Sequence, residues 1–353
     1  MKRFLSHFEE MPVANLADAT VARRMAGEVA LAMGLSSQRA AEAVLVASEL
    51  AHNHVMHATS NGSLRISGFH LAESPCLAVV SLDQGPGLNA PFLQLVRAGR
   101  HGEGLGAGLK TVVRLSDRVD CFSRRETDID SDYETVIVAL LGDESLPPEV
   151  TCRAAGGLAV ISRARVGSHL YGDGVKMQQD ERFLRLTLVD SPGLGGKAAE
   201  TTAAVFAALD SYPLLWPPGH VLEELEFVLA GTNGAAVASL LLNRVTGRLQ
   251  SAAVGHGGAL LYVDGRKVED GRISGIVGQS RWRRIVGRDY AGGTSITACL
   301  HSDGHRPFSS LPSLTLPPLL LAHLLFAPQK PLRDDATLLV LQWPEKVTTP
   351  CTS

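Results

Sequence analysis

The stretch GDESLPPEVTC, residues 142–152, constrains this chain more than any other feature. It is polar, holds a double proline and carries no apolar period, so it suits a linker and neither a helix nor a strand. The patterning differs on its two sides. Before it, NLADATVARRMAGEVALAMG (15–34) repeats apolar residues at helical spacing and stops at Gly34. SSQRAAEAVLVASELAHNHVMHA opens with serines suited to capping and predicts a second helix over 37–58. SLRISGF and CLAVVSLDQ then read as strands, followed by a glycine-rich region (85–108), a helix over 107–116 and strands over 118–123 and 133–141. Beyond the break the chain is mostly strands, at 157–163, 182–190, 235–243, 249–254, 259–263, 294–301 and 336–342. Helices are expected there at 196–210, 219–230 and 317–327. A length of 353 residues fits two domains.

Composition removes several classes of function. The 33 basic and 36 acidic residues are well mixed, so no basic stripe points to nucleic acid. The five cysteines (76, 121, 152, 299, 351) form no CxxC pair, which argues against a zinc ribbon or a disulfide scaffold and for a reducing, cytoplasmic setting. MKRFLSHFEEMPVANLAD has acids where a signal peptide needs an apolar run. PPLLLAHLLFAP is far shorter than the ~20 residues of a membrane span and predicts a short buried helix. No membrane association is expected.

The segment ASELAHNHVMHA (47–58) raises a choice between a histidine metal site and a different chemistry. Successive helical residues turn by about 100°, so Glu49, Asn53 and His57 stack on one face while His52 and His54 point elsewhere. A zinc site would need ligands from other segments, and no companion motif exists. His52 and His54 therefore read as surface and core residues. Two segments further along the chain give Glu49 and Asn53 their context. LDQGPGL (82–88) sets Asp83 at a strand end before Gly85 and Gly87, and GEGLGAGLKTV (102–112) is a glycine run opening a helix, where free N–H groups can meet a phosphate. Each piece alone is ordinary; the ordered set is specific.

This set resembles the GHKL ATPase superfamily, and within it the RsbT-like anti-sigma-factor kinases, over about residues 12–142. The resemblance implies an ATP site in which Asn53 coordinates Mg2+ on the phosphates and Asp83 meets the adenine amino group. Gly85 and Gly87 shape the first glycine box, and Gly104, Leu105, Gly106 and Gly108 wrap the phosphates. It makes Glu49 the general base. Only 13 residues separate Leu88 from Gly102, so any lid is short. With no dimerisation helix pair of the histidine-kinase kind, the acceptor is expected to be a serine or threonine on another protein.

The second half places acids at strand ends: Asp173 in YGDG, Asp190 in LTLVDSPGLGGKAAE, Asp303 in CLHSDGH, and Asp334 and Asp335 in LRDDATLLVL. Carboxylates from several strands suit hard divalent cations, and two such ions can activate water for phosphoryl transfer. This order, with TNGAAVASLLLNRVTGRLQSAAVGHGGALLYVDG and its expected hairpin at a Thr-Gly turn, resembles the type 2C metal-dependent protein phosphatases of the SpoIIE- and RsbX-like branch over about 155–343. The resemblance implies two Mn2+ or Mg2+ ions bridged by Asp173 and Asp190. The carbonyl of Ser191 is a further ligand, and Asp303 and Asp334 complete the site. Asp335 stands where that family carries Asn or Asp and is left outside the set. Two departures stand out: Asp190-Ser191 replaces Asp-Gly, and Gly193-Leu194-Gly195 replaces Gly-His-Gly.

The expected architecture is α/β (α+β). A GHKL kinase sandwich (1–142) and a linker (143–154) precede an αββα phosphatase sandwich (155–345) and a tail (346–353). The expected function is a bifunctional kinase and phosphatase acting on STAS-domain regulators in a partner-switching or stressosome-type pathway. A rival reading keeps the phosphatase but makes the first domain an ATP-binding module that sequesters or activates a partner without transferring phosphate.

Overall fold

The computed structural model describes residues 6–57, 62–71, 74–85, 87–88, 92, 105–124, 133–142, 157–164, 171–193, 196–279, 284–328 and 334–344. Contacts divide the chain into two units, one of Ser6–Gly156 with Thr315–Leu325 and the other of Gly157–Leu314 with Phe326–Lys346.

In the first unit, Asn15 starts helix α1 (Leu16–Ala32). Its side chain accepts from the amides of Ala17 and Asp18, and Asp18 returns a carboxylate to the Asn15 amide. Ala22, Ala26 and Ala30 recur on one buried face, and this small-residue stripe lets helix α2 (Ser37–His57) lie close. A Cβ at Gly27 would stand 3.0 Å from a Val44 methyl. Helix α3 (Leu105–Leu115) packs against α2.

The sheet beneath has β1 (Ser6–Pro12), β2 (Ser63–Leu71), β3 (Ser74–Asp83), β4 (Arg118–Ser123) and β5 (Thr135–Gly142). Its order is β1-β2-β3-β5-β4 with antiparallel neighbours. Alternate residues Leu64, Ile66, Leu77, Val79, Ile137 and Ala139 enter one core with the helices. Between Leu64 and Ile66, Arg65 points the other way. It pairs with Glu10 at 3.2 Å and donates to the His323 carbonyl at 3.1 Å and the Tyr133 hydroxyl at 3.2 Å.

Three element ends meet at Arg39. Its side chain donates to the Gly142 carbonyl (2.7 Å) and the Leu115 carbonyl (3.1 Å) and pairs with Asp117, which accepts from the Gly142 amide at 2.6 Å.

The second unit holds two sheets. One has β6 (Leu158–Arg163), β11 (Gly258–Val263), β12 (Arg266–Val268), β15 (Ile296–His301) and β16 (Ala336–Trp343), ordered β12-β11-β15-β16-β6. The other has β7 (Asp173–Gln179), β8 (Phe183–Asp190), β9 (Ala236–Asn243), β10 (Leu249–Val254) and β13 (Arg272–Ile273), ordered β13-β10-β9-β8-β7, with β14 (Arg288–Tyr290) also on β10. Leu184, Leu186 and Leu188 of β8 meet Leu300 and Leu339 of the facing sheet in one sandwich core. Val189 points outward to helices α4 (Gly196–Ser211) and α5 (Pro218–Val228), whose Val205, Phe206, Val221 and Leu225 form a second core. The Thr-Gly hairpin expected after β9 turns at Thr246-Gly247, where Gly247 has φ 69°.

The expected 317–327 helix is α6 (Pro318–Leu325), fully apolar but for His323, and it packs on β4 and β5 within the first unit. A helix apolar on all sides must be covered all round. Five strands escape the sequence pattern: the short β12, β13 and β14, and the longer β1 and β7. In β1, SHFEEMP carries two adjacent acids. In β7, DGVKMQQ is mostly polar, and its Lys176 is buried against Asp210.

Candidate functional site

In the first unit, Glu49 and Asn53 lie one turn apart on α2, both half-buried. Gly108 of α3 comes up against them: a Cβ there would stand 2.7 Å from Glu49 Oε2 and 3.6 Å from Asn53 Oδ1. The structure thus brings together the carboxylate, the carboxamide and one glycine of the last box. Leu105 and Gly106 fall in the first turn of α3, whereas Gly104 lies outside the described residues. Asp83 ends β3, and its Oδ1 accepts from the Gly85 amide at 2.7 Å, which caps the turn entering the glycine box. Gly87 has φ 74°, a left-handed conformation that disfavours a side chain.

The histidines divide as expected. His52 is exposed, while His54 is buried and bonds the Ser81 hydroxyl through Nε2 at 3.0 Å. Burial lowers its pKa, so the ring stays neutral and serves as a tie from α2 to β3.

The second unit gathers acids from several elements. Asp173 at the start of β7 lies directly opposite Asp190 at the end of β8. Just past β15, the Asp303 amide donates to Asp190 Oδ2 at 3.1 Å. Asp335, buried just before β16, accepts from the Gly172 amide at 2.6 Å, while Asp334 beside it is exposed and caps the Asp335 amide at 2.8 Å. The described geometry therefore sets Asp335, which the resemblance left outside the ligand set, closer to the buried floor than Asp334.

The electrostatics reflect this crowding. Burial first, and then the Asp190 charge, push the Asp173 carboxyl well above the usual range; the Ser302 and Thr337 hydroxyls pull the other way. Asp190 is pushed up to about 7 by burial and by the Asp303 charge, with Asp334 and Asp335 adding to it. Asp173 Oδ2 is buried without a hydrogen-bond partner among the described residues. Such an orphaned oxygen beside mutually repelling carboxylates suits a hard cation, which would relieve both. Among the described residues, no three His, Cys, Asp or Glu side chains stand grouped as a ready-made metal cage. The fit thus lies in the all-oxygen donor set and its charge. Cys299 offers no alternative nucleophile, since complete burial pushes its thiol pKa up.

Small residues shape the floor. A Cβ on Gly172 would stand 2.8 Å from the Ser191 carbonyl oxygen, and one on Gly174 would stand 2.7 Å from Phe206 and 2.8 Å from Thr202. The two glycines around Asp173 are thus what lets α4 seat against β7. Ser191 is buried, and its hydroxyl lies 2.8 Å from Thr202 Oγ1. Leu194 and Gly195 of the second departure lie outside the described residues, and Gly193 has φ 120°. Sequence reasoning missed Thr202. Its signal was a hydroxyl within the buried stripe Ala198, Thr202, Val205, Phe206 and Leu209 of α4.

No family model and no curated protein matches the chain. Among solved structures it is similar to RsbX in complex with magnesium, at 19% identity and a TM-score of 0.48 over 52% of this chain and 94% of that one. It is similar to the PP2C phosphatase domain, with a regulatory fragment, of SpoIIE from Bacillus subtilis, at 12% identity and a TM-score of 0.41 over 76% and 79%. It is also similar to the catalytic domain of the serine/threonine phosphatase PstP with two manganese ions, at 18% identity and a TM-score of 0.36 over 52% and 96%. These neighbours are PP2C-type phosphatases. With identities and scores this low, the chemistry rests on the residues themselves.

Proposed function

We propose that this chain is a metal-dependent protein phosphatase joined to an ATP-dependent serine/threonine kinase, the two acting in opposition on STAS-domain regulators of a partner-switching pathway. The observation that carries the phosphatase is the facing pair of buried Asp173 and half-buried Asp190, set beside further acids, with one Asp173 oxygen orphaned. Asp173, Asp190, Asp303 and Asp334, with the Ser191 carbonyl, would hold two Mn2+ or Mg2+ ions. Bound divalent cations would supply Lewis acidity and neutralise phosphoryl charge. Asp335 holds the Gly172 amide and so fixes the turn that delivers Asp173. In the net reaction, a water oxygen bonds to phosphorus, the bond to the serine oxygen breaks, and that oxygen takes a proton.

The kinase half rests on the convergence of Glu49, Asn53 and Gly108. Asn53 would hold Mg2+ on the phosphates of ATP, Asp83 the adenine, and the Gly104–Gly108 run the phosphates. Glu49 would take the proton of the acceptor hydroxyl as its oxygen attacks the γ-phosphorus and ADP leaves. Among the described residues no helix is long and apolar enough to cross a membrane.

The test is a time course with purified chain, ATP, Mg2+ or Mn2+ and candidate STAS proteins. Phosphorylation that rises and then falls as ATP is exhausted is the expected result. Dephosphorylation of a pre-phosphorylated STAS protein without any transfer from ATP would instead make the first unit a binding module.

A further inference from the structure

Position 191 is where this chain replaces an expected glycine with serine, and the structure gives that serine a partner. Thr202 Oγ1 donates to the Gly172 carbonyl, an oxygen with no proton to return. Its single hydrogen is thereby committed, so the Ser191 hydroxyl must be the donor in the 2.8 Å contact with Thr202 Oγ1. The Ser191 amide also reaches the Gly172 carbonyl, at 3.4 Å. Residue 191 is therefore tied from its amide and from its side chain to the turn that carries Asp173. All of this is buried: Ser191 is 3% and Thr202 6% exposed.

The Ser191 carbonyl oxygen lies against Gly172, where an added Cβ would stand 2.8 Å from it. On the far side, the Gly172 amide is held by Asp335 at 2.6 Å. The Thr202 methyl packs on Gly174, so both glycines flanking Asp173 are clamped by one side chain of α4. A glycine at 191 would keep the amide contact to Gly172 but lack the side-chain tie.

We propose that the Ser191–Thr202 hydroxyl pair is a positioning device for the acidic pocket, in which Thr202 fixes the Ser191 carbonyl and the Asp173 turn for cation binding. The proposal rests on the reading of the acidic pocket as a metal site. Thr202 is a positioning residue: it acts through Ser191, Gly172 and Gly174. The serine is then a substitute for backbone rigidity rather than a lesion in the site.

The test is Mn2+ titration of the full chain, read from the free-ion electron paramagnetic signal, well below the melting temperature. Thr202→Val should weaken Mn2+ binding by about tenfold, in the range typical of groups that orient metal ligands. Thr202→Ser, which keeps the hydroxyl, should bind within about threefold of the parent, as a structural loss of the methyl alone would not predict. Ser191→Ala keeps the carbonyl and the Thr202–Gly172 bond, tests the device even where Thr202→Val fails to fold, and should also weaken binding. A parent that binds Mn2+ while folded Thr202→Val or Ser191→Ala binds equally well overturns this proposal alone. A parent that takes up no Mn2+ overturns the metal-site reading and this proposal with it.

Discussion

Asp173 and Asp190 face each other in register across the β7–β8 pair, two carboxylates on adjacent strands, the first buried and the second half-buried. Both are held above the ordinary value of 3.8, so the folded state keeps their protons longer than the unfolded chain does. This pair therefore costs nothing at low pH and destabilises progressively as pH rises from about 4 to about 7. In EDTA, the melting temperature of the parent should fall across that window more steeply than that of Asp190→Asn. Mn2+ should raise the parent's melting temperature more at pH 7.5 than at pH 5.5, because protons compete for the same oxygens. Equal pH slopes in parent and variant would contradict the coupling.

Gly108 is the point where α3 approaches Glu49. An alanine there would place its methyl carbon 2.7 Å from Glu49 Oε2, the free end of a flexible side chain, so the helix can stay put while the carboxylate turns away. Gly108→Ala should therefore leave the melting temperature nearly unchanged. It should lower phosphotransfer toward the level of Glu49→Gln, a loss of about 10²-fold or more where a positioned base is removed. Radiolabel transfer from ATP measures it, and full activity in both variants would remove Glu49 from the chemistry.

Asp83 caps its own turn through Oδ1, and in the proposed nucleotide site its other oxygen would meet the adenine amino group. Asp83→Asn exchanges a charged acceptor for a weaker one. Nucleotide binding measured by calorimetry should lose about 1.5–3 kcal/mol. Equal affinity in variant and parent would move the adenine elsewhere.

Arg39 ties the start of α2 to the ends of α3 and β5 through a buried contact with Gly142 and partly buried ones with Leu115 and Asp117. Arg39→Met removes a donor from two carbonyls and from two carboxylates, those of Glu42 and Asp117. Urea denaturation should show about 2 kcal/mol of lost stability, as expected when a partly buried charged donor leaves its acceptors unmet. A loss below about 1 kcal/mol would make the knot a surface feature in energetic terms.

Much of the fold is legible in the sequence, for local reasons. The alanine and leucine periods announce α1 and α2, and strands with strict alternation or apolar runs, such as β3, β5 and β16, appear where expected. Strand β7 is hidden because Lys176 is a buried cation paired with Asp210 and the strand ends in glutamines. Strand β1 is hidden by Glu9 and Glu10, although Glu10 pairs with Arg65, an arginine buried in a strand that otherwise reads as a simple alternation. Within the sites, spacing places Glu49 beside Asn53, but only the packing of α3 reveals that Gly108 touches both. Thr202 and Asp335 act through Gly172, a backbone contact that no side-chain pattern encodes.

The central claim is that the facing aspartates make a metal-dependent phosphatase. The most direct measurement is phosphate release from a phosphoserine-bearing STAS-domain protein by the parent and by Asp190→Asn, each with Mn2+ and with EDTA. The account predicts release by the parent in Mn2+ alone, and none above the EDTA background by Asp190→Asn, while both chains bind ATP equally. Metal-dependent release by Asp190→Asn at the parent's rate, or no release by the parent with any divalent ion, would contradict it.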